Sequence, residues 1–156
     1  RTPAAARIND PEHTDVVHVA VDDTSRLAYI EILDDEKATT CVAFLRRAIA
    51  WFADHGITVE RVMTDNGPGY KSKLHAEAVA DLEIKHLRTR PYRPRTNGKA
   101  ERFIKTPQVE WAYAASYQSS KHRADVLPTW LSYYNNRRPH SALGHKTPAS
   151  RIKRTD

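Results

Sequence analysis

The spacing of apolar and polar positions changes several times along this chain of 156 residues. VVHVAV (16–21) is a compact β-branched run, which predicts a strand. DDTSR follows as turn chemistry, and LAYIEIL (27–33) reads as the return strand of a hairpin. The period then lengthens. Ala38, Val42, Leu45, Ile49 and Phe52 recur at four- and three-residue steps, predicting a helix with one apolar face. Asp34 or Asp35 stands where an N-cap is wanted, and Gly56 after His55 is a C-terminal stop. ITVERVMT (57–64) is the next strand and runs up to Asp65, with GPGY as a loop. SKLHAEAVADL (72–82) predicts a second helix with Leu74, Ala78 and Leu82 stacked, and IKHLRT (84–89) another strand.

Beyond residue 89 the pattern is punctuated. RPYRPRTNGKAER (90–102) opens as a proline-bearing loop, and Asn97-Gly98 delays regular structure until about Lys99. A helix carrying Glu101 is expected from there, and Pro107 should kink or end it. One more helix is expected around Thr129–Tyr134, before an irregular basic end. Residues 1–15, with two prolines and no periodicity, read as an N-terminal arm or inter-strand loop, residues 16–150 as one core, and residues 151–156 as a tail. A hairpin followed by alternating helix and strand predicts a layered α/β domain with a mixed sheet.

Composition narrows the partners. With 40% hydrophobic residues the chain can bury a core, and its one cysteine excludes an internal disulfide or a cysteine-rich zinc cluster. No apolar run approaches a membrane span, and no signal peptide opens the chain, so a soluble protein of a reducing, intracellular compartment is expected. The net charge is +6, but residues 85–105 hold eight Lys or Arg against one acid. That stripe is the footprint of a polyphosphate partner such as a nucleic acid, although a charged solvated loop has the same composition.

The candidate chemistry lies at MTDNGPGY (63–70) and in the basic segment. Alone, Asp65-Asn66-Gly67 is more often a turn than a ligand, and Glu101 alone is usually an acid matching a helix N-terminus. Together they carry more. Asp65 closes a strand, at the edge where open α/β sheets present their sites. Glu101 follows after 35 intervening residues, enough for loop, helix, strand and loop to bring it back beside Asp65. Two facing carboxylates repel unless a cation lies between them, and hard oxygen donors suit Mg²⁺ or Mn²⁺. Arg90, Arg93, Arg95, Asn97, Lys99, Arg102 and Lys105 would meet the DNA phosphates, and Tyr92 either stacks on a base or packs under the loop. Cys41 reads as a core residue.

MTDNGPGY, the spacing to Glu101, YRPRTNGKAER and YNNRRPHSALGHKTP resemble the catalytic core of bacterial insertion-sequence transposases, relatives of retroviral integrases. The likeness runs from about residue 16 to residue 150. It implies a ribonuclease-H-like fold, a D, D-35-E triad with Asp65 and Glu101 as metal ligands, and two Mg²⁺ or Mn²⁺ ions in the complete site. It also implies DNA transposition by phosphoryl transfer at transposon ends, by a homo-oligomer assembled on double-stranded DNA, a cytoplasmic, nucleoid-associated location, and a structural role for His140. The pattern departs from the family at its start. No strand ending in the first aspartate precedes VVHVAV, so the sheet is expected to lack its first, central strand. Asp10, Asp15, Asp22 and Asp23 are poor substitutes. The alternative reading is an incomplete core that only binds DNA or associates with intact transposase subunits.

Overall fold

The computed structural model describes residues 2–9, 14–64, 66–88 and 120–152. Three strands form an antiparallel sheet: β1 (Thr2–Asn9), β2 (Thr14–Val21) and β3 (Ala28–Leu33), in the order β1-β2-β3. The β2–β3 hairpin pairs Val16 with Leu33 and Val21 with Ala28. Its turn is tied by Asp22, whose carboxylate accepts the Ser25 hydroxyl at 2.6 Å and the backbone N–H groups of Thr24 and Ser25 at 3.3 Å. A second sheet pairs β4 (Arg61–Thr64) with β5 (Lys85–Arg88) in parallel, Arg61 opposite Lys85 and Thr64 opposite Arg88.

Helices cover both faces. Alternation along β2 sends Val17, Val19 and Val21 to one side, where Leu127, Trp130 and Tyr134 of α4 (Ser120–Asn136) pack on them. Ala20 faces the other side, toward Phe44, Leu45, Ala48 and Phe52 of α1 (Ala38–Asp54) and Val79 of α3 (Lys73–Asp81). A one-turn helix, α2 (Pro68–Lys71), lies between β4 and α3. The layered α/β reading therefore holds.

Several local expectations are corrected. Residues 2–9 are not a loop or arm but a strand, paired with β2 from Thr2↔Val21 to Asn9↔Thr14, and β1 also contacts β4. β2 is thus paired on both edges, with β3 on one and β1 on the other. The valine-rich β2 is buried, and its backbone groups on that edge need partners whatever the propensity of the segment that supplies them. GPGY contains the helix α2, and only the second half of 57–64 joins a ladder. On α3 the buried face is His75, Ala78 and Val79, whereas Leu74 is exposed. Asp35 does not cap α1. Lys37 is the N-cap, and the Asp35 carboxylate accepts the Lys37 N–H at 2.9 Å and the Thr40 hydroxyl at 2.6 Å. The helix expected at Thr129–Tyr134 begins nine residues earlier and contains Pro128.

Candidate active site

β4 ends at Thr64, the residue before Asp65, and Thr64 is fully buried. Its Oγ1 shares a hydrogen bond 2.7 Å long with Nε2 of His86 on β5. Since Val62 is opposite His86 and Thr64 opposite Arg88, the bond is a diagonal one between positions on the same face. Behind His86 lies His75 of α3, with ring centroids 4.6 Å apart, and Tyr70 of α2 meets His75 edge-on at 5.5 Å. Burial, then the neighbouring His86, pushes the His75 imidazole down to about 4. Burial and Arg88 hold His86 below its ordinary value. Both rings are therefore neutral at pH 7.

The chain beyond Asp65 is held closely. A Cβ on Gly69 would lie 2.8 Å from the Cys41 Sγ and 2.8 Å from the Glu36 carbonyl oxygen, so only glycine lets α2 approach the start of α1. Ser72 caps α3 by accepting the His75 N–H at 3.1 Å, and its hydroxyl donates to the Gly69 carbonyl at 2.7 Å.

Asp65, Glu101, Arg90, Arg93, Arg95, Asn97, Lys99, Arg102 and Lys105, together with Tyr92 and Pro107, lie outside the described residues. Among the described residues, no three His, Cys, Asp or Glu side chains are grouped to hold a metal ion. β1, the strand next to β4, reads TPAAARIN and contains no acid, and the carboxylate of Asp22 is engaged in its turn. Cys41 is buried in the core, as expected. By residue type, the carboxylates of Asp65, which follows β4 in the sequence, and of Glu101 are hard oxygen donors of the kind a divalent cation takes. Sequence reasoning missed the pair His75 and His86, because their separation of eleven residues matches no ligand motif.

Residues 6–94 match the family model described as integrase core domain, and residues 82–148 match a second model with that description. The fold is that of the catalytic core of retroviral integrases, ribonuclease-H-like and mixed α/β. The chain belongs to the integrase core domain family. It is 26% identical to a 39.2 kDa protein of insertion element IS476 from Xanthomonas euvesicatoria, over 94% of this chain and 45% of that protein. It is 29% identical to the Escherichia coli transposase InsD of insertion element IS2, over 58% of this chain and 30% of that one. The chain thus spans less than half the length of these curated relatives. The HTLV-2 integrase catalytic core domain, solved in complex with magnesium, superposes with a TM-score of 0.68 at 18% identity, over 97% of this chain and 94% of that one.

Among the described residues, no helix is long and apolar enough to cross a membrane.

Proposed function

We propose that this chain is the core part of a DNA transposase or integrase, with Asp65 and Glu101 holding a divalent metal against DNA phosphates. The observation that carries the reading is local. The family match spans β4 and β5, and the strand pair ends in register at Thr64 and Arg88, immediately before Asp65 and the basic loop. A carboxylate delivered there stands at the carboxyl edge of parallel strands, where α/β sheets bind their substrates.

When bound, Mg²⁺ or Mn²⁺ supplies charge stabilisation and an activated oxygen nucleophile for displacement at phosphorus. The chain's own residues bind and orient. Asp65 and Glu101 supply hard oxygen ligands. Arg90, Arg93, Arg95, Asn97, Lys99, Arg102 and Lys105 neutralise and register the sugar-phosphate backbone of transposon ends and target, in a homo-oligomer assembled on the DNA and located in the cytoplasm.

One observation favours a second reading. β1 lies against β4 yet contains no acid, so this chain would grip DNA or join complete subunits without cutting. A Mg²⁺-dependent nicking assay on labelled duplex decides between the two. Cutting by the wild type and at least tenfold loss in Asp65→Asn supports the enzyme. Salt-sensitive binding without cutting supports the second reading.

A further inference from the structure

The metal chemistry leaves the motif YNNRRPHSALGHKTP (134–148) unused. It folds as a closed loop at the end of α4. The His140 N–H donates to the Lys146 carbonyl at 3.0 Å, and the His145 N–H to the His140 carbonyl at 2.8 Å. Gly144 turns the chain at a φ of 63°, a left-handed conformation. Leu143 and Pro148 are buried, and Tyr134 of α4 meets the His140 ring edge-on at 4.7 Å. Arg137, Lys146 and, just beyond the loop, Arg151 are exposed. Arg151 closes a short 3-10 turn (Ala149–Arg151) that contacts α4.

The net charge conceals this basic surface. Residues 137–156 hold six Lys or Arg against one acid, Asp156, whereas residues 1–84 hold nine against fifteen acids. The two imbalances nearly cancel in the total. Elsewhere, exposed cations stand beside carboxylates: Arg46 with Asp81 at 3.8 Å, Arg47 with Glu31 at 2.9 Å and Lys73 with Glu77 at 3.9 Å. Arg137, Lys146 and Arg151 have no such partner among the described residues. Like charges crowded without a counter-charge destabilise a fold. In a loop that is already ordered they are also ready for a polyanion, since little backbone freedom remains to be lost on binding.

Position separates this surface from the start of the other basic segment. β3 pairs with β2, β2 with β1, β1 contacts β4, and β4 pairs with β5, so β3 and β5 are the outermost of the described strands. Asn135, two residues before Arg137, is bonded to the outer edge of β3 at Ala28, whereas Lys85 and Arg88 lie on β5. At about 4.8 Å per strand, β3 and β5 stand roughly 20 Å apart.

Resting on the reading of DNA as the partner, we propose that Arg137, Lys146 and Arg151 form a second surface for the DNA sugar-phosphate backbone, around the end of α4 and away from β5. Contacts of this kind hold and register a duplex without reading its sequence.

The test compares two triple variants of the full chain in binding a duplex of arbitrary sequence, read by fluorescence anisotropy across a range of salt. One removes the proposed contacts: Arg137→Gln, Lys146→Gln and Arg151→Gln. The other removes the same charge elsewhere: Lys37→Gln, Arg46→Gln and Lys73→Gln. Circular dichroism verifies folding of both. Each phosphate contact contributes about 0.9 to the slope of log affinity on log salt. The first variant should therefore have a slope shallower than wild type by about two to three, and the second by less than about one. A first variant with the slope of wild type, or equal losses in the two variants, overturns the second surface. So does a first variant that keeps the salt slope but no longer self-associates without DNA in analytical ultracentrifugation, which would assign the loop to protein contacts. No DNA binding by the wild type instead overturns the reading of DNA as the partner.

Discussion

Single residues decide two features of this fold. Asn135 is buried on α4, and its carboxamide makes two hydrogen bonds with the backbone of Ala28. It accepts from the N–H and donates to the C=O, both at 2.9 Å. One side chain thus acts as the next strand for the outer edge of β3, and it pins a helix 107 residues away. Asn135→Leu would leave both groups of Ala28 buried and unpaired. It should cost about 2–4 kcal/mol in urea denaturation, well above an ordinary surface change. His75 gives a pH signature. Its folded value of about 4 lies below the ordinary 6.5, so the unfolded chain takes up the proton first as pH falls. Its contribution is complete above 6.5 and is lost between about 6.5 and 4, at most about 3 kcal/mol. His75→Phe should flatten that part of the stability–pH curve. A curve as steep as wild type would show that another group titrates there. Neither role was readable beforehand: Asn135 is one of two adjacent asparagines, and nothing local tells which one meets β3.

At the scale of elements, periodicity was legible where burial on one face governs the pattern. α1 buries Cys41, Phe44, Leu45, Ala48 and Phe52; of the stripe expected from spacing, Leu45 and Phe52 lie at its centre, and Ala38, Val42 and Ile49 flank it half-buried. β2 and β3 were legible because a buried antiparallel hairpin concentrates valine and isoleucine. β1 was not, since TPAAARIN has neither alternation nor β-branched density, and its place comes from the demand of β2 for a partner. The greater part of α4 was hidden by Pro128, a residue that ordinarily ends a helix. Its loss of one backbone bond is outweighed by Leu127, Trp130 and Tyr134 packed on the sheet. The stripe on α3 was misplaced by about one residue, because His75 counts as polar on any scale yet lies wholly inside. α2 was missed because Gly-Pro-Gly reads as a loop, and the contact that requires Gly69 is tertiary. Gly69→Ala forces a shift of α2 away from α1, and should lower stability by about 1–3 kcal/mol in thermal or denaturant melts.

For the molecule as a whole, family and fold were legible because order and spacing of short motifs survive without any structure. The proposed pairing of Asp65 with Glu101 rests on that order, whereas the bond between Thr64 and His86 was not legible, because only the parallel register of β4 with β5 brings His86 to Thr64. Charge is a property of the same scale. The net +6 is concentrated in residues 85–105, so DNA binding should weaken steeply with salt. Four to seven neutralised phosphates give a slope of log affinity on log salt of roughly −4 to −6, measured by fluorescence anisotropy. A slope near zero would remove the basic segment from the interface.

The close approach of Gly69 to Cys41 also equips the protein with a built-in gauge. The chain has one cysteine, and its sulfur lies where even a methyl group on residue 69 would collide. A thiol reagent therefore has no room to react until α2 lifts from α1. The rate of labelling counts those openings, and it does so at the short helix that joins β4 to α3.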